Sequence, residues 1–588
     1  MQNFAAQSMD IAQILLGNYI ERIGEDGIIP PLDDELINGD EAGHIAYALA
    51  VFQTLHREEK SALDGPKLND LVAGCIAAQF HYNGQNAEGC VYAAMALLTM
   101  GLNLARNIAW SRFREETQKI ITTWARRQLQ VRPDQMIFNV IHSIVAFSLG
   151  FTAKDDSDRQ MEQLIRWLGD ESIGGFMDSS WVGIRGRFDG RVVEHYVLLR
   201  EALQLHGNVH IRERRLPAFR TYMQRYLRLI LDITREDGTN WSFGSLQGCA
   251  ADMSNISFLF YAFADDWIDA QKWPTYVTPL RRTIQHFFMQ YFDQEHGVVC
   301  VRNGEHGDSA DRTTATVTFD VIRQTLLWSQ LAKSLKVPLE LADSPSKAPY
   351  AKYVSFDRGM KKEQGLFLYR DEASGLLLQL PLVGGNGEGT SDCLAFPHCP
   401  SVFDAPSDVY LPIMLPELSF EGHVTTPSFY GKNVSTGIGM RKEFQFRYDQ
   451  PDLIGLDEQL IPNAASCKVL WTFNGTQICG DFTYFPRRVI RLTSFRMAMA
   501  IAIPYSRISG ISQCLSLGKE NLRPAIQWDD FGGKWQDPIN VIEEKNMRTR
   551  FGKICYLFSY ERSTAFHLRP GKTYRFSVSF DPELAKEE

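Results

Sequence analysis

Ten cysteines in 588 residues, none of them in a Cys-x-x-Cys pair, are too few and too scattered for a disulfide framework. Cys75, Cys90, Cys249, Cys300, Cys393, Cys399, Cys467, Cys479, Cys514 and Cys555 read instead as reduced, mostly core thiols. No window approaches about 18 uninterrupted apolar residues, so no membrane span is expected. The opening stretch MQNFAAQSMDIAQILLGNY has no basic segment ahead of an apolar one and does not read as a secretion signal. Excess positive charge is also missing: 61 Lys+Arg against 70 Asp+Glu give a formal charge of −9, and there is no Lys/Arg run. A nucleic-acid partner, which needs a basic surface to replace counterions, is excluded on that ground. The expectation is a cytoplasmic protein without membrane contact, and a homo-oligomer is compatible with it.

Common reaction signatures are lacking too. The chain has no G-x-S-x-G, no H-E-x-x-H and no dinucleotide fingerprint. GGNGEG at 384–389 has no following helix or Lys-Ser/Thr and is not a phosphate loop. Cys393, His398 and Cys399 fit no standard zinc spacing. No cofactor and no metal are expected.

What is present is a change of period. Residues 1 to about 345 repeat at 3.6 residues and divide into twelve helices of two kinds. Six are amphipathic, at 8–22, 66–81, 105–128, 158–168, 212–235 and 275–293; the third carries Trp110, Phe113, Ile120, Ile121 and Trp124 on one stripe. The other six, at 41–57, 86–102, 135–150, 191–206, 248–268 and 313–335, are apolar or small almost all round, which predicts burial on every side. GHIAYALAVFQTL and GCVYAAMALLTMG align from Gly43 to Gly89, and later inner helices follow at longer steps. Six hairpins with an apolar inner set favour closure into an (α/α)6 toroid over an open solenoid.

From about residue 350 the period is two. GLFLYRDEASGLLLQLPL reads as a hairpin, and KVLWTFNGTQICGDFTYF as another turning at Asn474-Gly475. Residues 346–588 are expected to form an antiparallel β-sandwich, with the apolar loop of residues 384–418 packed across the junction to the toroid.

A helical toroid of residues 1–345 followed by a large antiparallel sandwich resembles the heparinase II/III-like polysaccharide lyases and related uronic-acid-active toroid enzymes. That resemblance implies an acidic glycan bound across the toroid mouth, with the sandwich closing one side. Eliminating a uronate needs a cation or hydrogen-bond donor on the carboxylate, a base for the C5 proton and an acid for the leaving O4. The segment GIRGRFDGRVVEHYVLLREAL supplies these types locally: Arg185, Arg187 and Arg191 for the carboxylate, His195 and Tyr196 for proton transfer. Packing and local ion pairs, with Asp178 or Asp189, account for the same residues without chemistry.

A hydrolase would instead use two carboxylates flanking the scissile bond. Asp40, Glu41, Glu88, Glu194, Asp252, Asp308 and Asp311 stand near inner-helix starts, and Asp189, Glu194 and Asp252 are the first to consider. Trp181, Trp241, Phe243, His81 and Tyr82 are rim aromatics placed to stack on sugar faces. DDWID, from Asp265 through Asp266 to Asp269, has the form of a magnesium-diphosphate motif but sits at the opposite end of its helix. A glycan-binding protein without turnover is the remaining alternative.

Overall fold

A computed structural model describes residues 2–24, 27, 29, 39–55, 65–131, 135–153, 155–171, 191–205, 209–235, 238, 240, 248–293, 297–299, 314–335, 339, 348–357, 363–371, 376–382, 403–404, 415–427, 431–455, 460–475, 477–504, 524–537, 539–540, 548–549 and 552–580. Among these residues, none of the helices is long and apolar enough to cross a membrane.

The described residues of the N-terminal half form twelve α-helices: α1 (Gln2–Ile20), α2 (Glu41–Leu55), α3 (Gly65–Tyr82), α4 (Ala87–Thr99), α5 (Glu115–Arg126), α6 (Met136–Ser148), α7 (Ser157–Glu171), α8 (Arg191–Leu205), α9 (Val209–Ile233), α10 (Gly248–Ala264), α11 (Trp273–Tyr291) and α12 (Thr314–Leu335). The even-numbered helices touch in a cycle, α2 to α4, α6, α8, α10, α12 and back to α2. Their composition explains this placement. In α4 every residue from Gly89 to Leu98 is buried, as a helix apolar on all sides requires. The odd-numbered α5 buries only Thr117, Ile121, Trp124 and Ala125 and shows its charged face outward.

Two helices start well away from the sequence expectation. The first starts at Gln2 rather than near residue 8. The third outer helix starts at Glu115 rather than 105, because Asn107 ends regular structure there. Its amide donates to the carbonyls of Leu97 and Gly101, both at 2.7 Å, and its Oδ1 accepts from the Trp110 N–H at 2.9 Å. Such side-chain to backbone bonds compete with the helix ladder. Two short 3₁₀ turns, Leu104–Arg106 and Trp110–Arg112, fill the space instead.

The C-terminal half is antiparallel throughout its described pairings. A six-stranded and an eight-stranded sheet share one core, where Phe495 of the larger sheet meets Phe576 of the smaller at 5.0 Å. The hairpin of Ala465–Asn474 and Gln477–Pro486 pairs as its alternation predicts, but Asn474 faces Gln477, so Gly475 is the first turn residue and takes φ +58°. The turn thus lies one residue later than the Asn-Gly pair implies.

A third sheet joins the halves. Strands Tyr350–Asp357, Gln364–Asp371 and Leu376–Leu382 form it in sequence order. Period-two alternation splits its side chains between two cores. Leu366, Leu368 and Leu377 belong to the helical core, whereas Phe367, Tyr369, Leu378 and Leu380 belong to the strand core. Polar contacts pin it to the C-terminal end of α9. Tyr350 Oη donates to Asp232 at 2.9 Å, Lys352 pairs with the same carboxylate, and Arg370 donates to the carbonyls of Leu231 and Thr234 at 3.1 and 3.0 Å. Those are carbonyls a helix leaves unsatisfied at its end, and a cation is favoured there.

Candidate active site at the helix-start rim

The starts of α2, α4 and α12 come together on one rim. Thr316, at the start of α12, donates to Asp40 just before α2 at 3.4 Å, and His44 of α2 faces Glu88 of α4. Two glycines allow this approach. A Cβ built on Gly43 would stand 2.1 Å from the Gly89 carbonyl oxygen, so α2 and α4 meet backbone to backbone. Gln79 from the end of α3 staples the contact: its Oε1 accepts from Gly43 N–H at 3.0 Å and its amide donates to Gly39 O at 2.8 Å.

Within this corner, one atom each from Asp40, His44 and Glu88 lie within 4.8 Å of one another. Asp40 and His44 are buried, while the Glu88 side chain keeps 14% of its surface exposed. Three neighbours fix His44. Its Nδ1 lies 3.0 Å from Asp320 Oδ1, its ring stacks on Tyr92 at 3.7 Å between centroids, and its Nε2 is 3.9 Å from Glu88 Oε1. With Asp320 accepting from Nδ1, the other ring nitrogen, Nε2, is the one turned toward Glu88.

Below the corner the ring centre is filled by a polar layer. Arg323 donates to Asp320 at 3.1 Å and to Glu201 of α8, and lies over the rings of Tyr47 and Tyr92. Glu201 also accepts from Gln324 at 2.9 Å and from Tyr47 Oη at 3.1 Å. Burial opposes the charge of Arg323, but Glu201 and Asp320 beside it hold its pKa well above the ordinary value. Burial pushes Glu201 and Tyr47 upward as well. This layer floors the rim with charges that pair with each other, which is how buried polar networks persist, although Arg323 Nε itself has no hydrogen-bond partner among the described residues.

The expected site residues fall in different places. Glu194 and His195 lie in the first turn of α8 and are both buried, with His195 edge-on to Phe138 at 5.6 Å. Tyr196 has no exposed surface; its ring packs on Trp267 and Phe258, and burial together with Asp265 holds its phenol protonated well beyond the usual range. Asp252 is buried at the start of α10, accepting from Asn240 at 3.2 Å and facing His286 Nε2 at 3.5 Å. Asp189, Arg185, Arg187, Trp181, Trp241 and Phe243 lie outside the described residues, as do Asp308, Asp311, Cys393, His398 and Cys399. Arg191 opens α8, but its side chain is outside them too.

His81 and Tyr82 do line a depression. At the end of α3 they join Lys119, Trp124 and Arg127 of the α5 region around a cavity of about 440 Å³. His81 Nε2 sits 2.9 Å from Thr117 Oγ1, and Tyr82 is exposed. An aromatic face beside two cationic side chains suits an acidic sugar. The DDWID segment is held by structural pairs: Asp265 takes a bidentate Arg200 at 2.8 and 2.9 Å, and Asp269 pairs with Lys272 at 3.3 Å.

Sequence reasoning named Asp40 and Glu88 only as members of a carboxylate set and missed His44, Asp320 and Arg323. A signal existed, since each is a charged or titratable residue inside an otherwise apolar helix. Such residues are buried only with partners.

No family model matches the chain, and no curated protein matches it. Among solved structures it is similar to the chondroitin AC lyase of Streptomyces coelicolor A3 in complex with chondroitin sulphate, at 9% identity and a TM-score of 0.49, over 99% of this chain and 81% of that one. It is also similar to a Paenibacillus xanthan lyase, at 9% identity and a TM-score of 0.47, over 99% of this chain and 58% of that one. Neither likeness gives a role to any residue here.

Proposed function

We propose that the chain is a carbohydrate-active enzyme that cleaves a uronate-containing glycan by β-elimination at the rim of an (α/α)6 toroid. One observation carries this reading: His44, oriented through Nδ1 by Asp320, directs Nε2 into a corner at the inner-helix starts. An imidazole held in one tautomer by a carboxylate is a general base. His44 takes the C5 proton, the electron pair forms the C4–C5 double bond, the C4–O4 bond breaks, and the imidazolium returns the proton to the leaving oxygen. Arg185, Arg187 or Arg191 is assigned to the substrate carboxylate. The cavity at His81, Tyr82 and Arg127 is assigned to a neighbouring acidic sugar. His195, Glu194, Asp189 and Asp252 are kept as further candidates.

Hydrolysis is the second reading, favoured by the approach of Asp40 to Glu88, whose nearest oxygens lie within 4.8 Å. That is close to the separation of about 5 Å typical of retaining glycosidases.

The test is a panel of uronate-containing oligosaccharides followed for ultraviolet absorbance and for new reducing ends together. Elimination gives both signals, and His44→Ala is expected to lower kcat by about 100-fold or more, with Asp320→Asn lower by about 10-fold or more. Reducing ends without absorbance would replace elimination by hydrolysis. A wild-type rate in His44→Ala would remove the base assignment.

A further inference from the structure

The geometry points to a divalent-cation site of the zinc class formed by Asp40, His44 and Glu88. The inference does not need the cleavage chemistry above, since it concerns what these donors bind. Three features support it. The donor set combines one imidazole nitrogen with two carboxylates, and one atom from each falls within 4.8 Å of the others. A tetrahedral zinc with ligands at about 2.0–2.1 Å needs donors about 3.3 Å apart, so the three must draw in by about 1.5 Å at most. Glu88 is part-exposed and at the first turn of α4, which gives it the rotameric freedom to close; Asp40 and His44 are held.

The second feature is the support around the imidazole. Asp320 Oδ1 lies 3.0 Å from Nδ1, so the nitrogen that would meet a metal is the one facing Glu88. Carboxylate–histidine–metal relays of this kind fix the tautomer and raise ligand basicity. Asp320 is itself anchored by Arg323 at 3.1 Å, and Tyr92 stacks on the imidazole and blocks ring rotation. The third feature is origin. The ligands come from two helix starts locked together by Gly43, Gly89 and Gln79, with Asp40 in the position just before α2. Three protein ligands would leave one place of a tetrahedral shell for water or substrate, the arrangement of a metal that meets a reactant rather than one that only holds the fold. A cation seated there engages the same Nε2 lone pair that the elimination step uses, so loaded and proton-abstracting states would exclude one another.

The experiment is metal binding by the full chain, stripped with a chelator and dialysed, then titrated with Zn²⁺ by calorimetry and assayed for retained zinc by atomic emission. Co²⁺ serves as a spectroscopic probe. One Zn²⁺ per chain is expected, with a Co²⁺ spectrum of nitrogen and oxygen ligation. His44→Ala and Glu88→Gln should each weaken binding by about 100-fold, and Asp320→Asn by about 10- to 100-fold while all three direct ligands remain. Circular dichroism identifies a variant that fails to fold, and Asp40→Asn then takes its place. The inference is overturned if the folded wild type retains no zinc, if Co²⁺ gives thiolate charge-transfer bands, or if folded variants bind as the wild type does. Glycan turnover enters none of these readouts, so failure here and failure of the elimination reading are told apart.

Discussion

Replacing Gly43 by alanine is expected to lower stability by about 3 kcal/mol or more, at or beyond the upper end of ordinary overpacking costs. The added carbon would lie 2.1 Å from the carbonyl oxygen and 2.9 Å from the Cα of Gly89. Both are backbone atoms of a buried helix, so no side chain can swing aside; α2 and α4 must separate instead. The separation would also pull His44 from Glu88 and dislodge Gln79. Calorimetric melting of the variant checks it, with Gly17→Ala as the control. Gly17 lies in α1 with nothing within 4 Å of its added carbon, and alanine there should gain about 0.5–1 kcal/mol. A Gly43→Ala melt within a degree of the wild type would mean that the two helices do not touch as described.

Glu417→Gln is expected to stabilise the protein at pH 8 by about 3 kcal/mol and to leave stability at pH 4.5 unchanged. Glu417 is buried in the eight-stranded sheet, and burial, partly offset by Arg496, raises its pKa from 4.5 to about 7. Below pH 4.5 the carboxyl is protonated whether the chain is folded or not. As pH rises from 4.5 to about 7 the unfolded chain ionises first, so stability falls through that window and then levels. A shift of that size corresponds to about 3 kcal/mol. His142 works in the opposite direction. Burial lowers its pKa from 6.5 to about 4, so its contribution is complete above pH 6.5 and is lost as pH falls towards 4. The two slopes oppose each other between pH 4.5 and 6.5. Removing Glu417 should therefore uncover a stability that rises with pH across that interval, read from denaturant midpoints at several pH values. A pH profile identical to that of the wild type would show that Glu417 is not buried as an uncompensated carboxyl.

The helical half was legible because each inner helix is apolar on all sides and each outer helix on one, a contrast that survives without any partner in view. Even the Gly43–Gly89 alignment, met first as a repeat, is the point where two helices touch. The α5 boundary was not legible, because the side-chain bonds of Asn107 to Leu97, Gly101 and Trp110 appear only once the chain has turned. The two-sided packing of the joining sheet was not legible for a related reason. Alternation in QGLFLYRD announces two buried faces but cannot say that one of them belongs to the helices. At the site, local spacing drew attention to His195 and Tyr196, neighbours in sequence. The corner described above takes Asp40 from just before α2, His44 from α2, Glu88 from α4 and Asp320 from α12, and adjacency in sequence carries no trace of it.

That last distance has a consequence for how the protein comes into being. His44 and Asp320 are 276 positions apart, and Ser329 donates to the Ala5 carbonyl across 324. At ribosomal speeds of about 5–20 residues per second, α2 emerges on the order of 15–55 seconds before the helix that completes its corner. Through that interval the growing arc exposes an unclosed apolar flank of α2, a surface on which chaperones act and on which neighbouring nascent arcs can mispair. The ring therefore has a birth order: its first-made segment waits for its last, and the candidate site arises in the same event that hides the seam.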